Sequence, residues 1–243
     1  ILSIFDGKKL DFNFNHLKSS NITFIDKELE EKIKVFNSFK SYSSFFKSKG
    51  ILIDQEKRKL FISNEILKIS KVKKIKINLK KELLEEITNI VEKPKILFCE
   101  FDKKYLSIPK EILIITMQSH QKYFPTFDNK DNLTNNFIVV ADKKDSKGLI
   151  KLGNERVIEA RLNDAEFFWK KNRSQNLVKQ VSKLKNINYF KGLGSYFDKV
   201  QRIRKLCGII SDEMLISKEK IEIASSICKV DLMSDLVGEF PEL

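Results

Sequence analysis

Residues 153–169 read Gly153-Asn154-Glu155-Arg156-Val157-Ile158-Glu159-Ala160-Arg161-Leu162-Asn163-Asp164-Ala165-Glu166-Phe167-Phe168-Trp169. Ile158, Leu162, Ala165 and Trp169 recur at i, i+4, i+7 and i+11, which on a helix makes one apolar stripe about 60° wide. Arg156, Asn163, Phe167, Lys170 and Lys171 fall on the opposite face, with Arg161 at the edge of the stripe. A phenylalanine among cations on a polar face suits base stacking and phosphate contact. The same segment also fits a helix packed on two sides and paired internally, as by Arg161 and Asp164. Exposure of Phe167 separates the two readings.

Downstream the helical period persists. Gly192-Leu193-Gly194 interrupts it, Val200, Ile203, Cys207 and Ile210 resume it, and Ile221, Ala224, Ser225 and Cys228 outline another helix, with Leu232 and Leu236 on a fourth. Upstream the pattern is mixed. Within 8–25, Leu10, Phe12 and Phe14 alternate as in a strand, followed by a polar turn at 18–21. Asp26 is placed to cap a helix over 27–47, which Gly50 would end, and 51–53 reads as a strand. Residues 58–78 stay ambiguous between strand and loop. Leu83, Leu84, Ile87, Ile90 and Val91 predict a helix over 81–91, closed by Pro94.

Strands are expected at 96–101 and 105–108, as a hairpin around Asp102-Lys103-Lys104. A helix is expected over 110–120 behind Pro109, and further strands at 122–127 and 136–141. The polar run 142–148 then reads as a linker. The fold class is α+β, with an α+β domain over 1–146 and a helical region over 147–243.

The chain has 243 residues, about one and a half domains at roughly 150 residues each. Forty-six Lys+Arg against 33 Asp+Glu give a net charge of +13, which points to a polyanionic partner. Only six of those cations are arginine, leaving 40 lysines in a chain also heavy in Asn, Ile and Phe, residues whose codons are rich in A and T. Genomic bias alone could produce much of that excess. Arginine placement is more informative, because a guanidinium is suited to phosphate and carboxylate recognition. Arg58 aside, Arg156, Arg161, Arg173, Arg202 and Arg204 all follow residue 155.

Cys99, Cys207 and Cys228, with His16 and His120, have no zinc-site spacing. No phosphate-binding Gly-rich loop is present. The acidic row Asp231, Asp235, Glu239 and Glu242 reads as a solvated face rather than a metal site. No apolar run approaches the roughly 20 residues of a membrane span, and no signal peptide opens the chain, so a cytoplasmic location is expected. The termini read as those of an internal piece of a longer chain. At His120-Gln121-Lys122-Tyr123-Phe124 a base has Tyr123 to stack on and Lys122 for its phosphate, but the residues alone favour the reading in which Tyr123 and Phe124 start a half-buried strand and His120 satisfies a helix C-terminus.

Taken in order, several blocks resemble the beta subunit of bacterial heterotetrameric glycyl-tRNA synthetase. They are Glu111 to Met117 with the His120 to Phe124 run, Asn136-Phe137-Ile138-Val139-Val140, and Gly153-Asn154-Glu155-Arg156-Val157 with Arg161 to Phe168. Leu193-Gly194 with Lys199 and Arg202, Cys228-Lys229-Val230-Asp231-Leu232, and Glu239-Phe240-Pro241-Glu242-Leu243 continue the series. Upstream the similarity is looser, at Ile51 to Asp54 and Arg58, and in Asn15-His16-Leu17-Lys18 against a Gly-His-Arg-Phe signature.

The resemblance implies a glycine–tRNA ligase subunit. In that family the alpha subunit carries the class II site that uses ATP and Mg, so no cofactor is expected in this fragment and no catalytic residue. The implied partners are the alpha subunit and the tRNA for glycine, with neither membrane nor DNA. The first region is similar to the editing-type domain of phenylalanyl-tRNA synthetase, and the second to the start of an HD-type domain. The expected tRNA contacts are Lys122, Tyr123, Arg156, Arg161, Lys170, Lys171, Arg173 and Arg202. Alternatives are a metal-dependent HD phosphohydrolase, disfavoured because Lys229 stands where a histidine ligand is sought, and a subunit-scaffolding module.

Overall fold

The computed structural model describes residues 1–24 and 33–243. The chain opens with short antiparallel ribbons, β1 (Ile4–Phe5) with β2 (Lys8–Lys9) and β3 (Asn13–Phe14) with β4 (Leu17–Lys18). Their two-residue turns are Asp6-Gly7 and Asn15-His16, and Asp6, Gly7 and Asn15 adopt positive φ. Asp-Gly is a strong turn signal, because a primed hairpin turn needs left-handed backbone at its centre. The Asn15-His16 turn interrupts the strand expected within 8–25, which is reduced to two-residue pieces. β5 (Ile22–Phe24) pairs antiparallel with β6 (Ile33–Val35).

The helix expected over 27–47 is shorter. Helix α1 spans Phe39–Ser48, and Ser38 caps it by accepting from the Ser41 backbone N–H at 3.1 Å. Ile33 belongs to a strand, while Asp26, Lys27 and Leu29 lie outside the described residues. Residues 51–53 form no strand, although the Leu52 N–H does bond the Glu92 carbonyl at 2.9 Å.

Of the ambiguous stretch 58–78, the part up to Lys73 belongs to helix α2 (Gln55–Lys73), capped by Asp54 and buried at Ile62 and Ile66. It packs on α3 (Lys81–Ile90), which lies where expected. Arg58 is committed to this packing, since its Nε donates to the Thr88 carbonyl at 2.8 Å and its Nη1 to those of Leu52 and Ile53. Strand β7 (Lys76–Ile77) follows α2.

Strand β8 (Lys95–Glu100) is followed by a 3₁₀ turn, Lys103–Ser107, and not by the expected second strand. Asp102 caps the turn, and Tyr105 and Ile108, three residues apart, are both buried. That spacing stacks side chains on a 3₁₀ turn but puts them on opposite faces of a strand.

Helix α4 (Lys110–Ile115) runs on into a π turn over Thr116–His120. Strands β9 (Phe124–Phe127) and β10 (Leu133–Ala141) complete a four-stranded sheet in the order β7-β9-β10-β8. Register sets Lys76 opposite Phe127 and Ile77 opposite Thr126.

Helix α5 (Leu149–Ser174) is followed by 3₁₀ turns over Leu177–Asn186, the ribbon β11 (Asn188–Phe190) and β12 (Gly194–Ser195), α6 (Tyr196–Glu213) and α7 (Lys218–Ile227). A 3₁₀ turn at Val230–Met233 and the short α8 (Asp235–Glu239) close the order. The architecture is α+β.

Two compact units divide the chain. The first comprises Ile1–Cys99, Thr126–Asn132 and Phe137–Leu152, and the second Glu100–Pro125, Leu133–Asn136 and Gly153–Leu243. Position 146/147 falls within the first unit. The first unit's core includes Ile62, Ile66, Leu84, Ile87, Phe137 and Ile138; the second's includes Tyr105, Ile112, Leu113, Met117, Ile158, Leu162 and Val200.

Candidate nucleic-acid interface

Ile158, Leu162 and Ala165 are fully buried, so these three members of the predicted stripe form the inner face of α5, while the fourth, Trp169, is half-buried. Three polar residues of the helix fasten the second unit. The Asn154 amide oxygen accepts from the Tyr123 hydroxyl at 2.6 Å, and that of Asn163 from Tyr105 at 2.7 Å. The Glu155 carboxylate accepts from the Glu100 backbone N–H at 2.9 Å.

In the first unit, Asp145 holds the start of α5 by accepting from the N–H groups of Ile150 (3.2 Å) and Lys151 (2.8 Å). The Lys151 N–H is the largest of the influences that hold this carboxyl below its ordinary value, outweighing the opposing desolvation. Lys171 and Arg173 lie in the last turn of α5, where cations complement the exposed carbonyls.

Arg156, Arg161, Lys170, Lys171 and Arg173 are all exposed. Phe167, on the face of Arg156 and Lys170, is 60% exposed and meets Phe168 edge-on, centroids 5.4 Å apart. Lys170 pairs with Glu166 at 2.7 Å, one turn earlier. Lys171 pairs with Asp235 at 2.8 Å, and Gln175 donates to the same carboxylate oxygen at 3.0 Å. These two bonds, Lys171's foremost, hold Asp235 below its ordinary value. Arg173 lies over the Trp169 ring, 6.0 Å from its centre.

Arg202 stands apart on α6, its Nη1 donating to the Leu193 carbonyl at 3.1 Å. Lys122 is half-buried at a positive φ of 58°, and Tyr123 is 6% exposed. The Tyr123 ring is therefore covered, not offered as a stacking surface; it anchors α5 through Asn154.

Gly192-Leu193-Gly194, read from the sequence as a break in the helical run, lies in a hairpin that Arg202 ties down, and the aromatic residues of that hairpin were not foreseen. Phe190 and Leu193 are exposed there, and the Lys199 ammonium sits 3.8 Å from the Tyr189 ring centre. Tyr189 meets Tyr196 edge-on at 5.3 Å. Two aromatics followed by a cation, Tyr189-Phe190-Lys191, were the available signal. In the acidic row, Asp231 is exposed and Asp235 is held by Lys171 and Gln175. Among the described residues no group of three or more His, Cys, Asp and Glu is arranged to hold a metal ion, and no helix is long and apolar enough to cross a membrane.

A family model described as glycyl-tRNA synthetase beta subunit matches residues 1–243. The glycine–tRNA ligase beta subunit of Syntrophomonas wolfei is 36% identical over 245 residues, covering 100% of this chain and 36% of that relative. The beta subunit from Thermodesulfovibrio yellowstonii is 37% identical over 244 residues, and that from Rickettsia akari 32% over 244, each with the same coverage. The chain thus spans 36% of the length of these curated relatives.

Proposed function

This chain belongs to the glycyl-tRNA synthetase beta-subunit family, and from that premise we propose that it is a tRNA-contacting, non-catalytic part of a glycine–tRNA ligase. The observation that carries the reading is Phe167, a large aromatic at 60% exposure on a face that also carries Arg156 and Lys170. A buried Phe167 would have made this face core.

The work of the face is electrostatic and positional. Arg156 and Arg161 are exposed guanidiniums, each suited to a bidentate grip on phosphate. Lys170, Lys171 and Arg173 add positive charge at the C-terminal end of α5, and their partly exposed pairs with Glu166 and Asp235 are weak enough in water to exchange for phosphate. Phe167 offers a stacking plane to any base. Arg202 and Lys122 are further candidate contacts on other elements, and Tyr123 acts by positioning Asn154.

The activity is ATP-dependent attachment of glycine to its tRNA, with ATP and Mg handled by an alpha subunit in the cytoplasm. The sheet-bearing part is read as an editing-type domain without a hydrolytic constellation. The helical part is read as the start of an HD-type fold that lacks HD chemistry, given Lys229 beside an exposed Asp231.

A second reading, a scaffold for the alpha subunit, has its own support. Leu206, Ile209, Ile210 and Met214 form an exposed apolar row on and just past α6, and Leu215 is 95% exposed. Charge reversal at Arg156 and Arg161 in the full beta chain discriminates between the readings. The proposal expects loss of salt-dependent tRNA binding and of glycine charging. Unchanged binding and charging would favour the scaffold.

A further inference from the structure

The first unit carries a second concentration of charge that the arginine argument passed over. Seven of the sixteen residues 66–81 are lysine and none is acidic, whereas 40 lysines in 243 residues give fewer than three by composition. The run spans the end of α2, β7 and the start of α3, and Lys71, Lys74, Lys80 and Lys81 are all exposed. Lys76 is paired, to Asp131 at 2.7 Å.

Local physics explains only part of the run. Lys71 and Lys73 sit in the last turn of α2, where cations complement the helix dipole. Lys74 is different, because it holds the left-handed position that ends the helix, with φ of 54°, where glycine or asparagine costs least. Lys80 is the N-cap of α3 and makes no side-chain capping bond, although asparagine, aspartate or serine would. Lys81 then begins the helix with a charge of the wrong sign for its N-terminus, offset in part by Glu85 one turn later, so the uncompensated positions are Lys74 and Lys80.

A/T-rich codons do not account for these choices, since asparagine is as readily encoded in such a genome and is the better residue at both Lys74 and Lys80. Positions where local rules are broken without local compensation are where function is to be sought.

We propose that Lys71, Lys74, Lys80 and Lys81 form a ridge that contacts the phosphodiester backbone of RNA. The ridge reads no sequence, because ammonium groups act as point charges on phosphate. It involves residues of the first unit alone and stands independently of the Arg156 face.

The test is a triple variant, Lys71→Gln with Lys74→Asn and Lys80→Asn, titrated with unfractionated tRNA across salt concentrations. The unfolding midpoint should stay level or rise, because asparagine suits both positions. Affinity at low salt should fall by about fivefold or more, and the slope of log K on log salt should shrink by roughly two to three. A merely structural role would move stability and binding in the same direction.

Arg156→Gln with Arg161→Gln serves as the second arm. If only that pair weakens binding, the ridge is wrong and the reading of α5 stands; if only the lysine variant weakens it, the ridge stands and that reading falls. Wild-type protein that binds no tRNA at low salt overturns both. Polyglutamate that competes as well as tRNA would overturn RNA as the partner.

Discussion

His120 and Phe240 stack with their rings nearly parallel, ring centroids 5.2 Å apart and planes inclined by 9°. The contact joins the π turn that follows α4 to the residue that closes α8, where the Phe240 N–H bonds the Leu236 carbonyl at 2.8 Å. Phe240 is 2% exposed, so within the second unit this late residue belongs to the core. Phe240→Ala should therefore lower stability by about 3 kcal/mol, the usual cost of emptying a buried phenylalanine site. His120→Ala should cost less, and the double variant should fall short of the sum by roughly 0.5–1.5 kcal/mol for the lost ring pair. Urea unfolding of the four proteins measures it; strict additivity would mean the rings do not interact.

Gly194 is constrained by its neighbour as well as by its backbone. Its φ is +80°, and a Cβ there would run into the Asp198 carboxylate. That carboxylate accepts from the Ser195 N–H at 2.8 Å, while Ser195 Oγ accepts from the Asp198 N–H at 3.3 Å, the reciprocal cap that starts α6. Gly194→Ala should cost about 1–2 kcal/mol through left-handed strain and loss of the cap. A drop in thermal midpoint checks this, and an unchanged midpoint would mean the turn relaxes freely.

Acid should loosen the start of α5. Asp145 has its carboxyl lowered from the ordinary value of 3.8, chiefly by the Lys151 N–H. A depressed folded-state value contributes stability that is complete above 3.8 and lost as pH falls through that value toward the depressed one. Asp145→Asn should thus be less stable than wild type at pH 7, and the gap should narrow between about pH 5 and pH 2. Chemical unfolding across that range is the measurement; a gap constant with pH would remove the charged cap from the account.

Tyr123→Phe tests whether the tyrosine anchors or binds. Losing its hydroxyl bond to Asn154 should cost about 1 kcal/mol of stability, with the salt dependence of tRNA binding unchanged. A weakened tRNA affinity at unaltered stability would return Tyr123 to the interface.

The sequence-readable parts share one property, a single apolar period. Helix α5 was legible because Ile158, Leu162 and Ala165 all face inward, and α3 for the same reason at Leu83, Leu84 and Ile87. Helix α2 was not, since Leu60, Leu67 and Val72 are exposed while Ile62 and Ile66 are buried, leaving apolar residues all round it. The turn at Tyr105 looked like a strand because two apolar ends of a short segment fit either geometry.

For the candidate site, exposure of the cations and Phe167 followed from the stripe. The partners did not. Nothing local links Lys171 to Asp235 or Tyr123 to Asn154, because those pairs exist only once the chain has folded.

The central claim, that this chain contacts tRNA through charge and stacking on α5, is tested most directly by titrating it with glycine tRNA and with an unrelated tRNA at two salt concentrations. The account predicts binding to both that weakens steeply with salt, with a slope that falls by about one for each phosphate-contacting arginine removed at Arg156 or Arg161. Absence of binding at low salt, or binding indifferent to salt and to those arginines, would contradict it.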